Sequence, residues 1–232
     1  KHNPNRHLLA CMPLRASPAG DHDLAPTGAA RLPIGKKRGA LVKALRNDAH
    51  LKPFFRLPAK ENGFDIEGIA VYGRRILLGL RGPVLRGIAI VLEIEVAEDG
   101  EGLLKLKPLA PDGRPCRKHL LDLGGNGVRD LHRAGEDVLI LAGPTADLDG
   151  RCALWRWRDP FALQGDSFLA EDERLQRILR IPVGNDADHP EGFSVLPDSG
   201  GREILVVYDA PAKERCRGKG AVLADIFELP AA

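Results

Sequence analysis

Three acidic residues at nearly equal intervals are the side chains of this sequence best suited to build a site. Glu67, Asp130 and Glu191 lie 63 and 61 residues apart (130 − 67 and 191 − 130). If three such carboxylates converge, their mutual repulsion requires a bound cation, paired arginines or a raised pKa. A ring of carboxylate oxygens suits a hard ion such as Ca²⁺ or Mg²⁺ better than zinc. The spacing therefore predicts one site assembled from three repeated segments.

Further polar residues accompany these acids. Residues two apart on a strand share a face, so Asp65 is expected to point the same way as Glu67. His189 is expected to point the same way as Glu191 for the same reason. The predicted lining of the site therefore comprises eight residues: Asp65, Glu67, Arg81, Arg129, Asp130, His189, Glu191 and Asp209.

Arg81 is the member of this set that most needs a specific partner. It lies between Gly79 and Gly82, whose missing side chains are expected to leave room for a large guanidinium group and for close backbone approach. The aligned positions of the other segments hold an alanine and Asp209, so the repeated scaffold does not require an arginine there. The expected partner is Glu67, which is the nearest acid in sequence, and a bound anion is the alternative.

The residue types leave three kinds of site open. Arg81 and Arg129 could neutralise the carboxylates and line a channel without any metal. A divalent cation on Glu67, Asp130 and Glu191 could instead support a hydrolase of lactonase, phosphatase or esterase type. The same channel could also bind a small polar or anionic ligand without chemistry. Binding or scaffolding is the leading interpretation, and metal-dependent hydrolysis is its rival.

The elements that must position these residues recur with the same period. Each acid precedes an apolar strand ending in a proline, a turn closed by a glycine, and a second strand. The prolines and glycines are Pro83, Pro144, Pro211, Gly87, Gly150 and Gly218. The apolar runs are short, β-branched and bounded by turn residues, a pattern typical of strands. A period of about 62 residues fits a four-stranded antiparallel blade with one longer loop, so the sequence predicts an all-β fold, a β-propeller.

The same period divides the chain into units. They are a partial first blade with a helical insertion at 1–58, and three blades at 59–120, 121–182 and 183–232. An acid expected near residue 4 is missing, so the propeller is predicted to be incomplete at its N-terminus. In the insertion, Leu41, Val42 and Leu45 predict a short amphipathic helix within residues 39–50. An incomplete ring leaves strand edges open, and self-association through these edges is expected.

Composition excludes several classes of protein. Of the 232 residues, 44% are hydrophobic and 28% are charged, which argues against a disordered chain. The 34 Lys and Arg nearly balance the 32 Asp and Glu, so no nucleic-acid partner is expected. The basic cluster at residues 35–39 has no interleaved aromatic residue and is interpreted as a solvated loop. No apolar run approaches the ~20 residues of a membrane helix, and the 4 cysteines are too sparse for a disulfide framework.

Two further motifs are assigned structural roles. Trp155 and Trp157 alternate with arginines and so share one strand face, which favours packing between blades over ligand stacking. The glycine-rich run at residues 124–127 resembles a phosphate loop but leads into a strand, so it is interpreted as a turn.

Several stretches of the chain resemble a known family. They are residues 62–71 with 79–84, residues 128–131 with 140–144, and residues 190–192. From about Leu57 to Tyr208, the chain resembles the bacterial domain-of-unknown-function family numbered 3616. This resemblance implies a propeller-like protein without an established activity, similar to longer chains that begin with another Glu-Gly strand. The Glu-Gly strand starts also resemble those of gluconolactonase-type and phytase-like propellers, whose metal sites lie on the central axis.

Overall fold

The computed structural model describes residues 8–16, 24–26, 28–35, 39–145, 150–184 and 187–230. Regular structure within these ranges is nearly all β. The α-helix found there, α1 (Ala40–Leu45), turns Val42 and Leu45 into the core, which confirms the short amphipathic helix of the insertion. None of the helices in these ranges is long and apolar enough to cross a membrane. Short 3-10 turns occupy Lys52–Arg56, Ala59–Glu61, Pro160–Ala162, Pro197–Ser199 and Lys213–Arg215.

Four short strands precede the main sheets. They are β1 (Ala10–Cys11), β2 (Leu14–Ala16), β3 (Leu24–Pro26) and β4 (Ala30–Arg31). Strand β1 pairs antiparallel with β4, and β2 pairs antiparallel with β3. Positions 36–38 of the basic cluster predicted to be a solvated loop lie outside the described residues.

The first main sheet, sheet 1, is built around an antiparallel meander. Its strands in chain order are β5 (Asp65–Tyr72), β6 (Arg75–Gly82), β7 (Ala89–Glu98), β8 (Leu104–Leu106) and β9 (Cys116–Leu121). The meander runs β5-β6-β7-β9, and the short β8 pairs with the end of β7. Gly73 closes the tight turn from β5 to β6 with a φ of 61°, a left-handed conformation that favours glycine.

The second main sheet, sheet 2, repeats this meander. Its region contains β10 (Gly127–Ala134), β11 (Asp137–Gly143), β12 (Cys152–Trp157), β13 (Ser167–Leu169) and β14 (Leu175–Ile181). Four of these strands form the order β10-β11-β12-β14. Strand β13 instead leaves sheet 2 and pairs parallel with β9 of sheet 1. The glycine-rich run at 124–127 leads directly into β10, as its interpretation as a turn required.

The third main sheet, sheet 3, has three strands. The last elements of the chain are β15 (His189–Val195), β16 (Glu203–Asp209), β17 (Cys216–Arg217), β18 (Ala221–Val222) and β19 (Asp225–Glu228). Sheet 3 has the order β15-β16-β19, while β17 and β18 pair with each other. None of the sheets in the described ranges closes on itself.

The hydrophobic core lies in layers between these sheets. One layer joins Leu77 and Val91 of sheet 1 to Ile140 of sheet 2, together with both tryptophans of β12. Trp155 and Trp157 are 2% and 0% exposed, which confirms that they pack in the core. A second layer lies between sheets 2 and 3, and a third joins the other face of sheet 1 to the N-terminal segments. The main sheets therefore stack face to face in chain order.

The cysteines follow the expectation drawn from their spacing. All four are free thiols: Cys11 and Cys216 are exposed, whereas Cys116 and Cys152 are buried. Burial raises the pKa of Cys116 and of Cys152 to about 11, so these two thiols stay protonated at neutral pH.

Two paired glycines allow sheets 1 and 2 to approach closely. Gly68 of β5 lies opposite Gly79 of β6. A Cβ atom at Gly79 would lie 2.3 Å from Cγ1 of Val128, and one at Gly68 would lie 2.8 Å from Cγ of Leu131. Gly79 and Gly82 therefore permit the expected close approach, but the space at Gly79 is filled by Val128 of sheet 2 and not by the neighbouring guanidinium group.

We expect Gly79→Ala to lower the free energy of unfolding by about 1 to 3 kcal/mol, because the added methyl group overpacks the contact with Val128. Urea denaturation of the variant and wild type measures the difference. Gly165→Ala is the matched control, since a methyl group there meets nothing within 4 Å. Equal stability of Gly79→Ala and Gly165→Ala would contradict the close contact between the sheets.

Candidate functional site

A backbone irregularity recurs in the first strand of each main sheet. Each of these strands has a register shift, and the residue skipped by the pairing is Glu67 in β5, Arg129 in β10 and Glu191 in β15. Both intervals are 62 residues (129 − 67 and 191 − 129). A bulge redirects the side chain of the extra residue. The structure thus aligns Arg129 with the two glutamates, and the alignment that placed Asp130 with them is wrong by one residue.

These three bulge residues meet in one ion network, which we call the inner rim. Nη1 of Arg129 lies 3.1 Å from Oε2 of Glu67, and its Nη2 contacts Oε1 of Glu191. Nη1 of Arg81 lies 3.1 Å from the other oxygen of Glu67, and its Nε donates to the carbonyl oxygen of Thr145 at 3.2 Å. The predicted pairing of Arg81 with Glu67 is therefore present in the structure.

The inner rim is balanced in charge but unevenly exposed. The side chains of Arg129 and Arg81 are 7% and 11% exposed, whereas those of Glu67 and Glu191 are 21% and 33% exposed. Burial raises the pKa of Glu67, although the guanidinium charges of Arg129 and Arg81 oppose this effect. The nearby charge of Glu191 adds to the rise. Protonation of Glu67 would therefore remove the carboxylate charge that Arg81 and Arg129 share, while Arg129 keeps Glu191 and Arg81 keeps the carbonyl oxygen of Thr145.

Asp130 has a different role from the one predicted for it. Its Oδ1 accepts a hydrogen bond from its neighbour Leu131 at 2.8 Å, and its Oδ2 accepts one from the backbone N–H of Phe193 at 3.0 Å. Burial raises the pKa of Asp130, and these two amide hydrogen bonds partly offset the rise. Asp130 thus ties β10 to β15 through backbone contacts.

The remaining candidates lie near the rim with their own contacts. Asp65 lies opposite Gly82 at the start of β5, and its charge contributes to the raised pKa of Glu67. His189 lies opposite Asp209 at the start of β15. The Oδ1 atom of Asp209 accepts a hydrogen bond from the backbone N–H of Ala210 at 2.8 Å.

The donor set of the inner rim does not fit a divalent cation. Within the described part of the chain, no group of three or more His, Cys, Asp or Glu side chains is placed to hold a metal ion. The oxygens of Glu67 and Glu191 face guanidinium nitrogens, and those of Asp130 face backbone amides. A Ca²⁺ or Mg²⁺ ion would have to displace the arginines that already neutralise Glu67 and Glu191. Two of the three expected metal ligands thus pair with arginine, and Asp130 accepts hydrogen bonds from backbone amides.

A second charged group, the Glu93 cluster, lies at the boundary of sheets 1 and 2 and consists of Arg75, Glu93, Arg117 and His119. Glu93 and the ring of His119 are both fully buried. Oε1 of Glu93 accepts a hydrogen bond from Nε of Arg75 at 2.5 Å, while its Oε2 lies 3.2 Å from Nε2 of His119 and 3.5 Å from Nη1 of Arg117. Burial opposes ionisation of Glu93, but the hydrogen bonds from His119 and Arg75 outweigh it and hold its pKa below the usual range.

This cluster links sheet 1 to the chain between β12 and β14. Arg75 donates to the carbonyl oxygen of Phe161 at 2.5 Å, and Arg117 donates to that of Leu163 at 2.8 Å. Nδ1 of His119 lies 2.8 Å from Oγ of Ser167. Serine, histidine and glutamate in series resemble a hydrolase triad, but two guanidinium groups already neutralise the carboxylate that would stabilise an imidazolium. The cluster is therefore a buried crosslink between the sheets.

Sequence reasoning does not find the Glu93 cluster, because its members share no motif. One feature of the sequence could have indicated the cluster: Glu93 is an acid between the apolar residues Leu92 and Ile94 of a strand. A charged residue is almost never fully buried unless it is paired. The residues that contact Glu93 come from β6 and β9, which pair with β7 on either side. The sequence alone does not show this pairing of strands.

Comparison with known proteins gives a family but no characterised relative. Neither the curated proteins nor the solved structures include a significant match to this chain. The sequence model of one family, described as a protein of unknown function (DUF3616), matches residues 1–225. This match covers the inner rim, the Glu93 cluster and every main sheet up to the start of β19. The chain therefore belongs to the DUF3616 family.

Proposed function

We propose that this chain is a binding module of the β-propeller type, whose inner rim receives a small polar anion. The observation that carries the proposal is the position of Arg129, which belongs to sheet 2 and contacts Glu67 of sheet 1 and Glu191 of sheet 3. The first strands of the three sheets also contact one another, with β10 between β5 and β15. Such contacts between first strands are what successive blades around a central channel require.

The chemistry of the rim supports reversible binding of an anion. Two guanidinium groups converge on Glu67, and a ligand carboxylate or phosphate could take the place of that side chain. Because burial raises the pKa of Glu67, its protonation favours this exchange. Anion binding is therefore expected to strengthen as the pH falls toward the pKa of Glu67, while the ligand itself remains charged.

Binding accounts for the rim better than metal-dependent hydrolysis does. Arginines already pair with Glu67 and Glu191, two of the three carboxylates that hydrolysis would use as metal ligands. The same pairs hold three sheets together at their first strands, so the rim also serves as a scaffold. A ligand that replaced one of these ion pairs would change how tightly the neighbouring sheets are held together.

The thermal unfolding of the wild type and of the Arg81→Ala variant, each measured with and without citrate, tests this function. We expect citrate at ten times its dissociation constant to stabilise the wild type by about 1.4 kcal/mol and the variant by much less. The variant itself should lose about 1 to 3 kcal/mol, because Glu67 loses one partner and keeps Arg129.

The control for this experiment is Arg151→Ala, which removes an exposed arginine of the same region. It should melt like the wild type and respond equally to citrate. If Arg81→Ala lowered the melting temperature but kept the full response to citrate, Arg81 would be structural and the anion site would be wrong. Absence of any response in the wild type would also reject the proposal for this probe.

A further inference from the structure

We propose that a cationic pocket on the N-terminal insertion binds a phosphate group joined to an apolar body. This insertion pocket has a volume of about 410 Å³ and is lined by Arg46, Lys52, Pro53, Phe55 and Arg56. The volume falls in the range of about 300 to 1,000 Å³ that small-molecule sites occupy. Three cations and two apolar rings line it, and its lining contains no acid.

Positive charge is concentrated around the insertion pocket. Residues 39–58 contain 4 Lys or Arg and 1 Asp, a net charge of +3, while the whole chain has only +2 and the remainder therefore has −1. The acid of this segment, Asp48, lies 2.6 Å from Nζ of Lys118 in sheet 1. Within the described ranges, no carboxylate forms an ion pair with the three cations of the pocket. These cations repel one another, and a bound anion would relieve that repulsion.

The backbone beneath the insertion pocket is fixed by local contacts. Oδ1 of Asp48 accepts hydrogen bonds from the backbone N–H groups of His50 at 2.9 Å and Leu51 at 3.2 Å. Leu51 is fully buried and anchors the start of the 3-10 turn. The ring of Phe55 packs on that of Phe64 with centroids 4.8 Å apart. The pocket is therefore formed before a ligand arrives, which reduces the entropy lost on binding.

The lining selects an organic phosphate over other ligands. A phosphate monoester is close to a dianion and offers several acceptor oxygens, which arginine guanidinium groups match with paired hydrogen bonds. Pro53 and Phe55 provide an apolar wall for the group that carries the phosphate. An uncharged aromatic molecule would use only that wall, and inorganic phosphate would use only the cations.

Calorimetric titration with phenyl phosphate tests this inference on the whole chain. We expect saturable binding of phenyl phosphate to the wild type. In the double variant Arg46→Gln with Arg56→Gln, the affinity should fall by at least about tenfold, because two charged hydrogen bonds are lost. Lys43→Gln is the matched control, because Lys43 is an exposed cation of the same segment outside the lining. It should bind phenyl phosphate as the wild type does.

Other arms of the titration separate this site from the inner rim and from apolar binding. The titration is repeated on an Arg81→Ala background, which removes the rim site, so that the binding still lost there in Arg46→Gln with Arg56→Gln belongs to the insertion pocket. Phenol should bind far more weakly than phenyl phosphate. The inference is overturned if the double variant binds as tightly as the wild type, or if phenol binds equally well. Lys52→Gln provides an independent single variant, which should also weaken phenyl phosphate binding.

Discussion

Replacing Arg129 with alanine should lower the free energy of unfolding by about 3 to 5 kcal/mol, the range expected when a buried ion pair loses one partner. The variant leaves Glu67 and Glu191 facing each other without the guanidinium group that both contact. In the intact protein, burial raises the pKa of Glu67, and repulsion from Glu191 adds to the rise. Urea denaturation at neutral pH measures the loss.

Two further variants and a change of pH refine this experiment. Arg129→Lys should lose less stability, because it keeps a charge but lacks the two separate nitrogens that reach Glu67 and Glu191. The exposed Arg151→Ala should stay within about 0.5 kcal/mol of the wild type. Acid should narrow the difference in stability between Arg129→Ala and the wild type, since protonation of Glu67 removes its repulsion with Glu191. An Arg129→Ala variant as stable as Arg151→Ala would show that the network contributes nothing to the fold.

Glu93→Gln should also lower the free energy of unfolding by about 3 to 5 kcal/mol. Glutamine preserves the shape of the side chain but removes the charge that Arg75 and Arg117 share. These two guanidinium groups would then remain at the sheet boundary without a counterion. Urea denaturation measures the loss, and Glu98→Gln is the control because Glu98 is an exposed residue of the same strand.

The dependence on pH distinguishes this effect from simple loss of packing. The folded-state pKa of Glu93 is depressed, so its stabilising effect is present above the unfolded pKa and is lost as the pH falls through the folded value. Below about pH 4.3, the ordinary pKa of a glutamate, the stability of the wild type should therefore approach that of Glu93→Gln. A difference that stayed constant down to acid pH would mean that the charge is not responsible.

The sequence predicts an all-β fold correctly because the signals for strands are local. Short apolar runs between turn residues locate the main strands, and the position of Trp155 and Trp157 on one face predicts their burial in the core. The intervals between the acids also identify correctly the parts of β5, β10 and β15 that meet at the inner rim. Glu67 and Glu191 meet there as expected.

The exact composition of the rim is not predictable from these signals. A bulge moves every following side chain to the other face, and nothing in the sequence around Arg129 marks the skipped residue. Counting acids therefore aligns Asp130 with the two glutamates, whereas the register aligns Arg129 with them in an ion network. A shift of one residue thus replaces a carboxylate by a guanidinium group at the aligned position, and this weakens the rival interpretation of the site as a metal centre.

Strand β13 makes the stability of sheets 1 and 2 a shared property. It comes from the connection between β12 and β14, yet it forms the edge of sheet 1 beside β9. The carbonyl groups of Phe161 and Leu163 lie in the same connection and hold two arginines of sheet 1. Opening sheet 2 would withdraw both the edge strand and these acceptors from sheet 1. Amide protons of β9 and β12 should therefore exchange with solvent through one common opening event, and neither sheet is an independent folding unit.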